Sequence, residues 1–260
     1  MRKKVTFAAC AALLAASFTH VNAETSKPMI VLVHGAFADA SSWNGVASRL
    51  ESDGYSVVAV ANPLRGLKSD ADYLARFLKG LNDPVVLVGH SYGGSVMSET
   101  TADTGNVKAL VFVAAFAPAP GESAVDLSGK NPGSTLSSTL SNPVVLADGS
   151  SDLYIDKDKF PQQFAADVPI ATAQLMAASQ RPVADTALME HSFNARWQMT
   201  PSWFVYGDQD KNIPPVTLQW MAERAHSRGT YAIKGGSHSV MISHPEEVSK
   251  VIEEAAEATR

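Results

Sequence analysis

Cysteine is almost absent from this 260-residue chain: there is one, Cys10, and it falls among the first two dozen residues. That excludes a disulfide framework and the clustered thiolates of a structural metal site. Long apolar runs are missing too. Beyond residue 23 nothing approaches the roughly 18 consecutive apolar residues that a spanning helix needs. A basic stripe is likewise lacking: Lys and Arg number 21 against 26 Asp and Glu, they are scattered, and the formal net charge is −5. This argues against nucleic acid or an anionic membrane as a partner. There is no H-E-x-x-H, no cysteine–histidine metal spacing, no Walker loop and no G-x-G-x-x-G, so neither a metal nor another cofactor is expected. Internal repeats and heptads are absent as well.

What is present begins with an address. Met1-Arg2-Lys3-Lys4 is basic, Val5 to Phe18 is apolar, and Val21-Asn22-Ala23 supplies a small-residue cleavage site. Residues 1–23 read as a secretory signal, too short in its apolar part to anchor in a bilayer. The expected mature chain, 24–260, is exported to the periplasm or the medium. Losing three positive charges takes its formal charge from −5 to −8. It contains no cysteine and must be held by its core alone, which a chain of this size can supply.

Short β-branched runs alternate with helical patterns, which implies βαβ units and a doubly wound, mostly parallel sheet. The strand candidates are Met29–Val33, Ser56–Ala61, Val85–Val88, Ala109–Ala114, Ser202–Tyr206 and Thr230–Ile233. They are apolar on both faces, as strands covered on both sides should be. One helix begins near Ser42 and stops before Gly54. Ser69-Asp70-Ala71-Asp72 and Ser243-His244-Pro245-Glu246 read as capping-box starts, and Pro214 or Pro215 suits the first turn of another helix. Residues 118–195 break the rhythm: a Ser/Gly/Pro/Asn-rich stretch precedes short helices over 160–166, 169–178 and 183–193. An insertion there forms a lid over the carboxyl ends of the strands, where ligands bind in open α/β sheets.

The most informative segment is Val85-Val86-Leu87-Val88-Gly89-His90-Ser91-Tyr92-Gly93-Gly94. An apolar run of strand length ends in G-x-S-x-G and passes directly into a helical pattern. In that context a serine sits on a strained strand–turn–helix elbow, its hydroxyl above the sheet edge. Gly89 and Gly93 fall where a Cβ would collide with the neighbouring strand or helix. A serine hydroxyl needs a base, and the base an orienting acid. Downstream, His238 in Lys234-Gly235-Gly236-Ser237-His238 follows the last strand and overhangs the sheet edge. The loop after Tyr206 offers Asp208 and Asp210. Asp208 suits turn chemistry, and Asp210, further into the loop, is favoured as the acid. The oxyanion hole needs two backbone donors. The N–H of Tyr92 is one; the other comes from His34-Gly35-Ala36-Phe37, through Ala36 or Phe37.

These motifs resemble the α/β-hydrolase superfamily over essentially the whole mature length. The likeness rests on His34-Gly35-Ala36, Gly89-His90-Ser91-Tyr92-Gly93, Gly207 through Pro214 and Gly235 through His238, and it points to the compact branch containing plant methyl esterases and hydroxynitrile lyases. It implies that Ala36 supplies the second oxyanion N–H, that Asp210 is the acid, and that the superfamily's N-terminal antiparallel hairpin is missing. Lyases of that branch usually carry threonine where Gly35 stands and lysine where Ser239 stands, so both departures favour ester hydrolysis. The implied activity is that of a serine carboxylesterase acting on a small or medium ester through an acyl-enzyme. Phe37, Phe116, Phe164, Leu175, Met176 and Phe193 are candidates for the substrate pocket. The alternatives are a cofactor-free perhydrolase or haloperoxidase, a thioesterase on the same triad, or a non-catalytic binding protein on the same scaffold.

Overall fold

The computed structural model describes residues 27–259. The signal-like segment, the cleavage site near Ala23 and Cys10 lie outside the described residues. The six runs expected as strands are the six strands of the main sheet, each within two residues of the expected bounds. Strands β1 (Met29–Val33), β2 (Val57–Val60), β3 (Val85–His90) and β4 (Val107–Val113) precede the insertion. Within the insertion, β5 (Val144–Val145), β6 (Ser151–Leu153) and β7 (Val183–Ala184) form a separate three-stranded antiparallel sheet. Strands β8 (Ser202–Gly207) and β9 (Gly229–Ile233) complete the main sheet, ordered β2-β1-β3-β4-β8-β9 and parallel throughout.

All of β3 and β8 is buried, which is why their sequences carry no polar alternation. The chain starts in β1, winds outward to β2, then reverses across β1 to β3. That reversal opens a crevice at the carboxyl ends of β1 and β3, the place where such sheets bind ligands.

Helices cover both faces. A 3-10 turn at Ala40–Trp43 leads into α1 (Asn44–Ser52), and Gly54, at φ +83°, takes the left-handed turn that follows it. Helix α2 (Leu67–Lys79) starts earlier than its sequence suggested. Ser69 and Asp70 therefore lie inside the first turn and form no capping box: Ser69 Oγ donates back to Gly66 O, and the Asp70 carboxylate turns into the core. Helix α3 (Tyr92–Glu99) leaves β3 directly. The insertion holds α4 (Ala124–Ser128), α5 (Phe160–Phe164), α6 (Ile170–Ser179) and α7 (Asp185–Met189). Among the described residues the one reciprocal capping box is here, Ser123 with Asp126. After the insertion come α8 (Pro215–Arg224), α9 (Val240–Ser243) and α10 (Pro245–Glu257). Ser243 ends α9 instead of capping α10, so the second expected box is also not made, although Pro245 does occupy the first turn.

Three polar fastenings hold the insertion down. At its entry, Arg224 pairs with Glu122 at 2.6 Å and donates to Ala117 O. In its middle, buried Gln163 donates to Lys211 O and Asn212 Oδ1 in the loop after β8. At its exit, the buried Glu99 carboxylate at the end of α3 accepts from Ser192 Oγ, Phe193 N, Asn194 N and Asn194 Nδ2. Glu99→Leu would leave two backbone N–H groups without their acceptor, a loss of about 1–3 kcal/mol. The expected result is a lower urea midpoint with an unchanged slope and faster proteolysis next to Phe193; an unmoved midpoint would show that the exit does not depend on Glu99.

Candidate active site

Ser91 joins β3 to α3 with φ 51° and ψ −122°, a conformation that costs a non-glycine residue of order 1–3 kcal/mol. Its backbone is held there from three sides: Ser91 N donates to Val113 O, and Ser91 O accepts from Gly94 N and Phe116 N. The flanking glycines are sterically required. A Cβ on Gly93 would stand 2.4 Å from Val33 O, and one on Gly89 would stand 2.8 Å from the Gly93 carbonyl. The elbow therefore sits tight against the end of β1.

The loops after β8 and β9 bring Asp210 and His238 together. Asp210 Oδ2 lies 2.7 Å from His238 Nδ1, and both side chains are fully buried. Asp210 Oδ1 accepts from Asn212 N and Ile213 N, so the carboxylate is fixed by its own loop. Asp208 has a different task. Its Oδ1 accepts from Gly235 N at 2.7 Å and ties the His238 loop to the end of β8. With Nδ1 donating to the carboxylate, His238 Nε2 carries a lone pair, and it has no hydrogen-bond partner among the described residues. Ser91 and His238 are therefore not bonded to each other here, a looseness common in catalytic pairs without substrate.

His90 connects the two. Its Nε2 donates to the His238 carbonyl at 3.1 Å, and the two rings lie 4.8 Å apart, centroid to centroid. Burial, reinforced by the neighbouring His238, holds His90 well below the usual histidine range and keeps it neutral. Phe164 closes the group edge-on, 5.0 Å from His238 and 6.0 Å from His90.

Among the described residues, the N–H groups of Ala36 and Tyr92 have no protein acceptor. The loop carrying Ala36 is pinned by buried His34, whose Nε2 accepts from Asn62 N at 3.0 Å and whose Nδ1 donates to Gly35 O at 2.9 Å. Burial lowers the His34 pKa, consistent with a neutral ring that uses both nitrogens. Tyr92 is anchored through its side chain: its hydroxyl donates to Asp70 Oδ2 at 3.0 Å, and Arg65 N donates to the same carboxylate. Asp70, His90, Gln163 and Asn212 thus hold these residues in place. For Asp70, His90 and Gln163 the partners Tyr92, His238 and Asn212 lie far along the chain and leave no local pattern in the sequence.

Ser91 opens into a cavity of about 480 Å³ under the insertion. Phe37 and Phe116 line it as expected. Phe164 does not; it lies beneath, on the imidazole of His238. Met176 lines a smaller cleft of about 240 Å³, which shares Phe37 with the first. Leu175 and Phe193 line neither, being 71 % and 72 % exposed. Helix α6 turns Ala173 and Ala177 inward, which puts Leu175 on its opposite face. Phe193 follows the Ser192 anchored on Glu99, and its ring is left outside. The apolar wall comes instead from Leu136, Leu140, Leu153, Leu188 and Ile213. Among the described residues there is no cluster of His, Cys, Asp or Glu suited to a metal ion, and no helix is long and apolar enough to cross a membrane.

A family model described as the alpha/beta hydrolase family matches residues 30–251. The chain is 27 % identical over 244 residues to an alpha-hydroxynitrile lyase of Arabidopsis thaliana, covering 85 % of this chain and 94 % of that protein. It is 24 % identical over 249 residues to the putative chloroplastic methylesterase 11 of the same plant, covering 87 % of this chain but only 63 % of that longer protein. The crystal structure of polyneuridine aldehyde esterase superposes with a TM-score of 0.74 at 21 % identity, over 88 % of this chain and 98 % of the other, a likeness of fold.

Burial raises Asp70 above its ordinary value of 3.8 despite its donors, so the folded state binds this proton more tightly than the unfolded state. Below 3.8 the group is protonated in both states and costs nothing. As pH rises from 3.8 through the raised folded value, stability falls, and the loss persists above it. Removing the Tyr92 hydroxyl takes a donor from the charged form. Tyr92→Phe should therefore destabilise by about 1–3 kcal/mol at pH 7 and by clearly less at pH 4. Urea unfolding at both pH values checks this; an equal loss at both would mean that the carboxylate is not what the hydroxyl serves.

Proposed function

The chain belongs to the alpha/beta hydrolase family, and from that premise we propose that it is a serine carboxylesterase, exported from the cell, that cleaves a small or medium ester through an acyl-enzyme. The observation carrying this reading is the buried 2.7 Å pair of Asp210 with His238, whose Nε2 has no protein partner among the described residues and whose backbone carbonyl accepts from His90, the residue before Ser91. Ser91 Oγ attacks the ester carbonyl while His238 Nε2 takes its proton, and Asp210 stabilises the imidazolium. The oxyanion receives the N–H groups of Ala36 and Tyr92, which have no other protein acceptor among the described residues. His238 then protonates the leaving alcohol, and the same base activates the water that releases the acid.

Two features support ester hydrolysis over cyanohydrin cleavage. A Cβ on Gly35 would stand 2.7 Å from both His90 O and Ser91 Cβ, which leaves no room for a threonine. Ser239 is buried and donates to Phe164 O at 2.8 Å, so no amine follows His238. A methylesterase and an alpha-hydroxynitrile lyase both stand among the relatives, so the choice rests on these two positions. None of the three triad residues is missing, which speaks against a purely binding role.

A fluorophosphonate probe should label the wild type and not Ser91→Ala. Short acyl p-nitrophenyl esters should lose about 10⁴-fold or more in kcat/KM on the same substitution. Wild-type protein that is neither labelled nor active on esters would end the carboxylesterase reading. Turnover of thioesters or of peracid formation in place of esters would move it to one of the other activities of the same triad.

A further inference from the structure

We infer that the cavity beside Ser91 takes the uncharged, mainly apolar half of a neutral ester and rejects any ester that carries a carboxylate in that half. This rests on the carboxylesterase reading and names the substrate class within it.

No lining residue of the cavity carries a charged side chain. The absence is built by side-chain direction. Four charged residues are immediate sequence neighbours of lining residues, and each is engaged elsewhere. Asp126, next to Val125, accepts from Ser123 and faces His191. Lys130, between Gly129 and Asn131, lies over the Trp220 ring at 4.0 Å. Asp152, before Leu153, pairs with Arg65 at 2.6 Å. Lys211, before Asn212, donates to Gln162 O.

The hydroxyls that remain supply no counter-charge. Ser134 Oγ donates to Asn212 O at 2.9 Å, and Ser128 Oγ has Asn212 O at 3.2 Å and Ser134 Oγ at 3.3 Å as acceptors. They present lone pairs to the cavity, which a neutral donor on the substrate can use and a carboxylate cannot. An ion entering here leaves water without gaining a counter-charge, the costliest form of polar burial. Neutral chains of the same length lose only water that an apolar wall holds weakly.

Matched esters test this in both halves. In the acyl half, p-nitrophenyl hexanoate is compared with the p-nitrophenyl half-ester of adipate and its methyl-capped form. In the alcohol half, hexyl acetate is compared with 6-acetoxyhexanoate and its methyl ester. In the half that occupies the cavity, ionisation should lower kcat/KM at least 100-fold, and methyl capping should restore it to within about 5-fold. Leu188→Lys should then raise the ionised ester at least 10-fold. Ionised and neutral esters within about 5-fold of each other in both halves would overturn the inference. Calorimetric binding of the same compounds to Ser91→Ala separates the two readings. At least 100-fold weaker binding of the ionised forms supports the charge rule even if the wild type turns over no ester, and equal binding overturns it.

Discussion

The strained turn at Ser91 is the constraint on which the rest of the site depends. A non-glycine residue at φ 51° persists only because its neighbours over-determine it. Here Val113 at the end of β4, Phe116 in the loop after it and Gly94 in α3 each hold one of its backbone groups. Those bonds require β3 and β4 in register and α3 pressed against the end of β1, a contact that Gly93 alone makes sterically possible. The sheet thus works as a clamp, and its burial energy holds one residue away from its preferred conformation.

Around that turn the protein spends three buried histidines on placement. His34 uses both ring nitrogens on backbone, His90 spans from the serine's strand to the His238 carbonyl, and His238 rests on Asp210. His34 and His90 are held neutral by burial, so neither competes electrostatically with a charge that forms on His238. A neutral imidazole offers one donor and one acceptor about opposite each other, which suits a bridge between two loops better than a charged side chain would.

How far the sequence was legible follows from the range of each signal. The six strands, the elbow and the pairing of Asp210 with His238 were readable because each is announced by consecutive residues at a strand end. The capping boxes expected at Ser69 and Ser243 were not made. In both places the local pattern was right, but the helix began elsewhere: Asp70 was drawn into the core by Tyr92, and Ser243 was taken as the last residue of α9. The small antiparallel sheet of the insertion went unseen because two of its strands are two residues long and the third three, and they pair across gaps with no periodicity. Pocket residues chosen for size alone divided in the same way. Phe37 and Phe116 sit next to the catalytic loops and line the cavity, whereas Leu175 and Phe193 are placed by the insertion's own packing and do not.

That division has a physical consequence for how specificity is carried. The fastenings at Glu99 and at the Arg224–Glu122 pair involve no residue of the cavity wall, whereas Gln163 bonds Asn212, and the wall residues Ser128, Ser134 and Asn131 bond Asn212 O and Thr217. The wall itself is made of side chains such as Leu136, Leu140, Leu153 and Leu188, which hold no backbone group in place. Changing one of them alters volume and polarity next to Ser91 while the anchors stay satisfied. Asn212 is the exception, because it joins the wall to the Asp210 loop through Asp210 Oδ1 and Gln163. The cavity is therefore open to revision on its leucine side and tied to the Asp210–His238 pair on its Asn212 side.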